Sequence, residues 1–189
     1  GALEDASFET GYSADINFNV SDDAAAIAAV LNGERDALDG ANDLDVTGGT
    51  TTMVGAADIQ SSGAYDAANS DYTISDTAGA ILGDTGTVID DGVSTINVNG
   101  PVGAGVGVQL GALEDASFET GYSADINFNV VDDANDITAA LTGDTTSLDN
   151  AASLVASSGT VTVTEASHIQ GVAGYDSGAS SYTISDTAG

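Results

Sequence analysis

Cysteine, lysine and tryptophan are absent from the 189 residues, and Arg35, His168, Pro101 and Met53 are each the sole residue of their kind. Without cysteine there is no disulfide and no thiol nucleophile, although secretion neither requires nor forbids that. With one cation beside thirty acids, nucleic acid is excluded as a partner, because phosphate contacts need Lys and Arg. The same deficit excludes an anionic membrane surface. No apolar run reaches the length of a membrane span, so direct membrane insertion is not expected, and no signal-peptide pattern occurs. A solitary histidine and no lysine leave thin material for acid–base or nucleophilic catalysis, so no enzyme is expected.

What is present is acid and small apolar residues. The net charge is −29, yet 42% of residues are hydrophobic, mostly Ala, Val, Ile and Leu, which is too apolar for a disordered chain. Such self-repulsion calls for salt or divalent cations, and calcium is the expected ion. A marine or extracellular setting, with localisation outside the cell or at its surface, fits that need.

The chain is organised around a duplication. Gly1–Val20 (GALEDASFETGYSADINFNV) recurs letter for letter at Gly111–Val130, and Tyr72–Gly79 (YTISDTAG) returns as Tyr182–Gly189. The offset of 110 holds without a gap, with about 60% of aligned positions identical. The expected domains are residues 1–110, a full repeat unit, and residues 111–189, a second unit cut short. The whole reads as a piece of a longer repetitive protein.

Within each unit, short patches alternate between apolar and polar residues. They are Ile16–Asn19, Thr51–Val54, Tyr72–Ser75 and Ile96–Asn99, then Ile126–Asn129, Val161–Thr164 and Tyr182–Ser185. This period of two predicts strands with one buried face, and Val106–Gln109 is read as a further one. Asp, Ser or Thr ahead of Ala and apolar residues at three- and four-residue spacing predicts short capped helices. Those starts are Ser21–Ala24, Ser75–Ala78, Asp132–Ala134 and Thr164–Ser167, with Gly33, Gly83 and Gly143 as stops. Ala24–Leu31 has the clearest helical pattern, and Gly111–Asp125 is read as a long loop. Strand spacings of about 21 to 35 residues predict a repeat solenoid, a β-solenoid with short capped helical turns. The alternative is a tandem β-sandwich.

The motif at 72–79 and 182–189, with relatives at Val161–Ser167 (VTVTEAS) and Asn19–Ala25 (NVSDDAA), resembles a known repeat class. Similar I-S-D-T-A-A-N tandem repeats occur in very large secreted and cell-surface proteins of marine bacteria and cyanobacteria, often beside RTX-type calcium repeats. The resemblance implies an adhesin-like, surface-layer or filament-forming protein. The glycine-and-aspartate nonapeptide of the RTX repeat itself is missing; Gly103–Gly111 is Gly-rich without the Asp.

Two clusters offer several oxygens at close spacing, as calcium requires: Asp39, Asn42, Asp43 and Asp45, then Asp132, Asp133, Asn135 and Asp136. Neither matches an EF-hand loop. For Asp22, Asp76 and Asp132 helix capping is the plainer role. His168 stands where the first copy has Asp58, and Arg35 where the second has Thr145, so the repeat depends on neither. Outward Asn and Thr pairs (Asn17/Asn19, Thr73/Ser75, Asn97/Asn99, Thr162/Thr164) would form a ladder resembling ice-binding surfaces, with plain stacking between strands as the alternative. The expected function is a structural module of a long extracellular, cell-surface or filament-forming protein, stabilised by calcium and self-associating with neighbouring repeats or copies. The competing functions are an ice- or glycan-binding solenoid and a polysaccharide-acting enzyme.

Overall fold

A computed structural model describes residues 18–32, 38, 40–84, 88–89, 92–120, 125–142 and 144–186. Asp39, Arg35, Ile16, Asn17, Gly33 and Gly143 lie outside them. The described residues fall into two compact units.

The first unit begins with β1 (Phe18–Asp22), α1 (Ala24–Leu31), β2 (Ala41–Thr51), α2 (Met53–Gln60) and β3 (Asp71–Asp76). It also holds the opening residues of β4 (Val93–Val102), and its sheet runs in the order β1-β2-β3-β4. The second holds α3 (Ala78–Leu82), the rest of β4, α4 (Ala104–Thr120), β5 (Asp125–Asp133), α5 (Ala134–Ala140) and β6 (Ser153–Ser158). It ends with β7 (Thr160–Val161), α6 (Val163–Gly171) and β8 (Thr183–Ile184), and its strands order as β4-β5-β6 and β7-β8. The pairs β1·β2, β2·β3, β5·β6 and β7·β8 are all parallel.

This is an α/β fold with a mostly parallel sheet, and it overturns the β-solenoid. The expected helical turns are helices that lie between most successive strands, as parallel pairing by βαβ crossover requires. The tandem sandwich fails for the same reason, because it needs antiparallel strands. Four local readings fail with it. Val106–Gln109 is not a strand but the middle of α4, which also runs through much of the expected Gly111–Asp125 loop. Thr51–Val54 and Val161–Thr164 are junctions, where a strand ends and Thr52 or Thr162 caps a helix.

The duplication extends to individual hydrogen bonds. Leu44 N–H donates to Ala64 O at 2.8 Å, and the Leu44 carbonyl accepts from Asp66 N–H; Leu154 does the same with Gly174 and Asp176. Val46 N–H donates to Ser70 Oγ at 3.0 Å, and Ala156 N–H to Ser180 Oγ at 3.1 Å. Gln60 Nε2 donates to Tyr72 Oη at 2.7 Å, and Gln170 Nε2 to Tyr182 Oη at 2.9 Å. Core positions are likewise shared: Ile27/Ile137, Leu31/Leu141, Leu44/Leu154 and Ile59/Ile169 are all fully or almost fully buried. Each such side chain contributes about 1.5–3 kcal/mol on removal from water, so repeated core residues specify the repeated backbone.

Helix starts carry the same signature. Asp23, Thr52, Thr77, Asp133 and Thr162 are the N-caps, and Thr162 completes a capping box with Glu165. Gly49 and Gly159 have φ of 82° and 101°, open to glycine without strain, and each lies against the capping aspartate, Asp23 or Asp133.

Candidate metal centre

β2 reads Asn42-Asp43-Leu44-Asp45-Val46, and its alternation settles which residues face which way. Leu44 and Val46 are fully buried, so Asp43 and Asp45 share the opposite face. The parallel bridge Leu44↔Tyr65 then brings Asp66 beside them. The three carboxylates each place an oxygen within 4.8 Å of the other two. In the β1·β2 register Asn19 stands opposite Asp43 and Ser21 opposite Asp45, adding amide and hydroxyl oxygens alongside.

The electrostatics of the triad are unfavourable without a cation. Burial pushes the Asp45 carboxyl above the ordinary Asp value, and the charges of Asp43 and Asp66 push it further. Asp45 Oδ1 is enclosed and receives no hydrogen bond. Asp66 is differently placed: Oδ1 accepts from Ala68 N–H at 3.0 Å and Oδ2 from Asn69 Nδ2 at 2.8 Å. Those donors fix its orientation and leave lone pairs over, since a carboxylate offers about four. An enclosed acceptor without a donor, flanked by two like charges, suits a hard cation with oxygen ligands, so these residues could hold a metal.

The sequence clusters are therefore placed as follows. Of the first, Asp43 and Asp45 join the triad and Asn42 is exposed at the start of β2. In the second, the aspartates are occupied by the backbone. Asp132 Oδ1 accepts Asp133 N–H at 2.9 Å and its Oδ2 accepts Ala104 N–H at 2.8 Å. Asp133 Oδ1 accepts both the N–H and Nδ2 of Asn135, and Oδ2 accepts Ser158 Oγ at 2.9 Å. These bonds hold the Asp133 carboxyl below its usual range. Asn135 and Asp136 are exposed in α5. Among the described residues, Asp43, Asp45 and Asp66 are the group of three acids close enough for one ion.

Asp66 is the residue that sequence reasoning missed. Its signal was available: Tyr65-Asp66 recurs as Tyr175-Asp176, in a stretch where the copies otherwise differ. The shared role is capping, since Asp176 Oδ1 accepts Gly178 N–H and Ala179 N–H. The triad is an addition in the first copy, because Asp43 and Asp45 become Ser153 and Val155 in the second.

A second strained acid lies on α4. Glu114 Oε2 is enclosed without a hydrogen bond, and burial raises its carboxyl, helped by Asp125 and Asp115. The outward polar ladder is incomplete, because Thr162 caps α6 and Thr164 lies inside it. Asn127 Nδ2 does donate to Asn97 Oδ1, at 3.4 Å. His168 is exposed in the last turn of α6. Among the described residues no helix is long and apolar enough to cross a membrane. Comparison of the chain with family models, curated proteins and solved structures gives no match.

Proposed function

We propose that the chain is a structural repeat module of a long extracellular protein, on the cell surface or in a filament, and that calcium held by Asp43, Asp45 and Asp66 stabilises its first unit. The carrying observation is what the two copies keep in common. Gln60/Gln170, Ser70/Ser180, Tyr72/Tyr182 and the strand-end aspartates recur with the same partners, and all of them hold backbone or core in place. Duplicating a framework suits a protein whose product is length and surface. Its partners are then neighbouring repeats or further copies of itself.

Calcium fits a partly enclosed group of carboxylates better than magnesium, because it tolerates irregular oxygen geometry whereas magnesium demands a near-ideal octahedron and keeps its water. The net charge of −29 adds a general attraction for divalent cations. Outside the cell calcium is plentiful, which links the site to the proposed location and to the resemblance of the SDTA motif to surface-protein repeats.

Calcium titration by isothermal calorimetry tests the site, using the chain and its Asp45→Asn variant. The expected result is one site in the parent chain, weakened at least about tenfold in the variant. Equal binding by both would overturn the assignment.

A further inference from the structure

We propose that the groove between α1 and α2 binds a small aliphatic primary ammonium, with Asp58 as its counter-charge. The inference is separate from the calcium site, because no residue of the triad lines this groove.

The groove lies wholly in the first unit and has a volume of about 390 Å³, within the range of small-molecule sites. Ala25 and Ala28 of α1 and Val54 of α2 give it apolar walls. Thr51 at the end of β2, Asp58 of α2 and Ser75 of β3 give it oxygens. The helices come together at Gly55, where a Cβ would meet Thr51 Oγ1 and, at 3.2 Å, Ala28 Cβ. Glycine inside a helix costs about 0.5–1 kcal/mol relative to alanine, so its place follows from that close approach.

Asp58 is the residue that calls for a ligand. It is 4% exposed and stands in the last turn of α2. A carboxylate there meets the negative end of the helix dipole, and its burial adds a desolvation cost. Both effects weigh against an anion and are offset by a cation held beside it. The second copy treats the same position in the opposite way. His168 stands there, exposed, at a helix end that favours a base. The walls change with it, since Ala25, Ala28, Val54 and Gly55 become Asn135, Thr138, Thr164 and Glu165. The core beneath does not change: Ile27, Leu31 and Ile59 recur as Ile137, Leu141 and Ile169. A kept frame with a replaced lining marks a site set into one copy alone.

The lining selects the kind of cation. A divalent metal wants several carboxylates, whereas Asp58 is the one acid lining the groove among the described residues. A quaternary ammonium wants aromatic faces, and the described lining has none. A primary ammonium brings three N–H donors for the oxygens of Asp58, Thr51 and Ser75. Its alkyl chain then lies against Ala25, Ala28 and Val54.

The test is an NMR titration of the chain with n-butylammonium, with calcium present and in about 0.15 M salt to screen the general charge. The expected result is saturable shifts at the Ala28, Gly55 and Asp58 amides, with Kd on the order of millimolar for so small a ligand. Asp58→Asn should weaken binding at least about tenfold. Ala29→Leu, which keeps the charge and fills the groove from an exposed position on α1, should weaken it likewise. Butan-1-ol and tetramethylammonium should not saturate these amides, and this ligand series decides the matter should a variant fail to fold. Shifts that do not saturate, or equal binding by either variant or either control ligand, would overturn the proposal.

Discussion

Asp76 ends β3, yet its Oδ2 accepts the N–H of Met53, the first residue of the helix before it, at 3.1 Å. Asp132 stands in the same relation to Ala104 at 2.8 Å, and Asp186 to Val163 at 3.4 Å. The motif Ser-Asp-Thr-Ala thus serves two helices: its Asp reaches back to one already made, and its Thr caps the next. Thr52 and Asp76 together satisfy two of the four unpaired N–H groups at the start of α2. A carboxylate there also meets the positive end of the helix dipole.

Thr52→Ala should therefore cost about 1 kcal/mol of stability. Asp132→Ala should cost more, about 1–3 kcal/mol, because both Asp133 N–H and Ala104 N–H lose their acceptor. Urea denaturation of the two variants checks the order, and equal stability of Asp132→Ala and the parent would refute the role.

Ile74 and Ile184 occupy the same motif position with opposite exposure. Ile74→Ala should cost about 2–5 kcal/mol as a buried truncation. Ile184→Ala, at a half-exposed position, should stay within about 0.5 kcal/mol. The difference between the two denaturation midpoints is the readout.

The pH dependence without calcium has two limbs. Hydrogen bonds depress the Asp133, Asp144 and Glu165 carboxyls, so their contribution is present above the ordinary values of 3.8 and 4.5 and is lost as pH falls through their lower folded values. Asp45 and Glu114 are raised, so the folded state holds their protons more tightly. Stability then falls as pH rises from 3.8 for Asp45, or 4.5 for Glu114, through the higher folded values. In chelator, Glu114→Gln should flatten the fall at the upper side and leave the acid limb in place, as followed by thermal unfolding across the range.

Much of this architecture was legible in the residues. The 110-residue period, the helix at Ala24–Leu31 and the strands around Ile74, Val98 and Phe128 follow from repetition and alternation alone. The fold class was not, because strand spacing says nothing about what lies between strands. Thr51-Thr52-Met53-Val54 alternates like a strand, but Thr52 is a cap, and the helix is read only from Ala56 and Ile59 beyond it. One of the three acids of the triad was similarly hidden. Asp43 and Asp45 show themselves by their spacing of two, whereas Asp66 arrives through the Leu44↔Tyr65 bridge, which no local pattern announces.

Asp45→Asn should stabilise the calcium-free chain, since it removes an enclosed charge flanked by Asp43 and Asp66. A melting temperature above that of the parent in chelator is the expected result. A lower one would mean that Asp45 is held by contacts other than a cation.

The most direct measurement is thermal unfolding by circular dichroism, first with calcium and then with excess chelator. The account predicts a higher melting temperature with calcium, lost in chelator, and for Asp45→Asn a melting temperature that is the same with calcium as with chelator. An identical melting temperature in calcium and chelator, from a sample folded in both, would contradict it and leave the acidic triad without an ion.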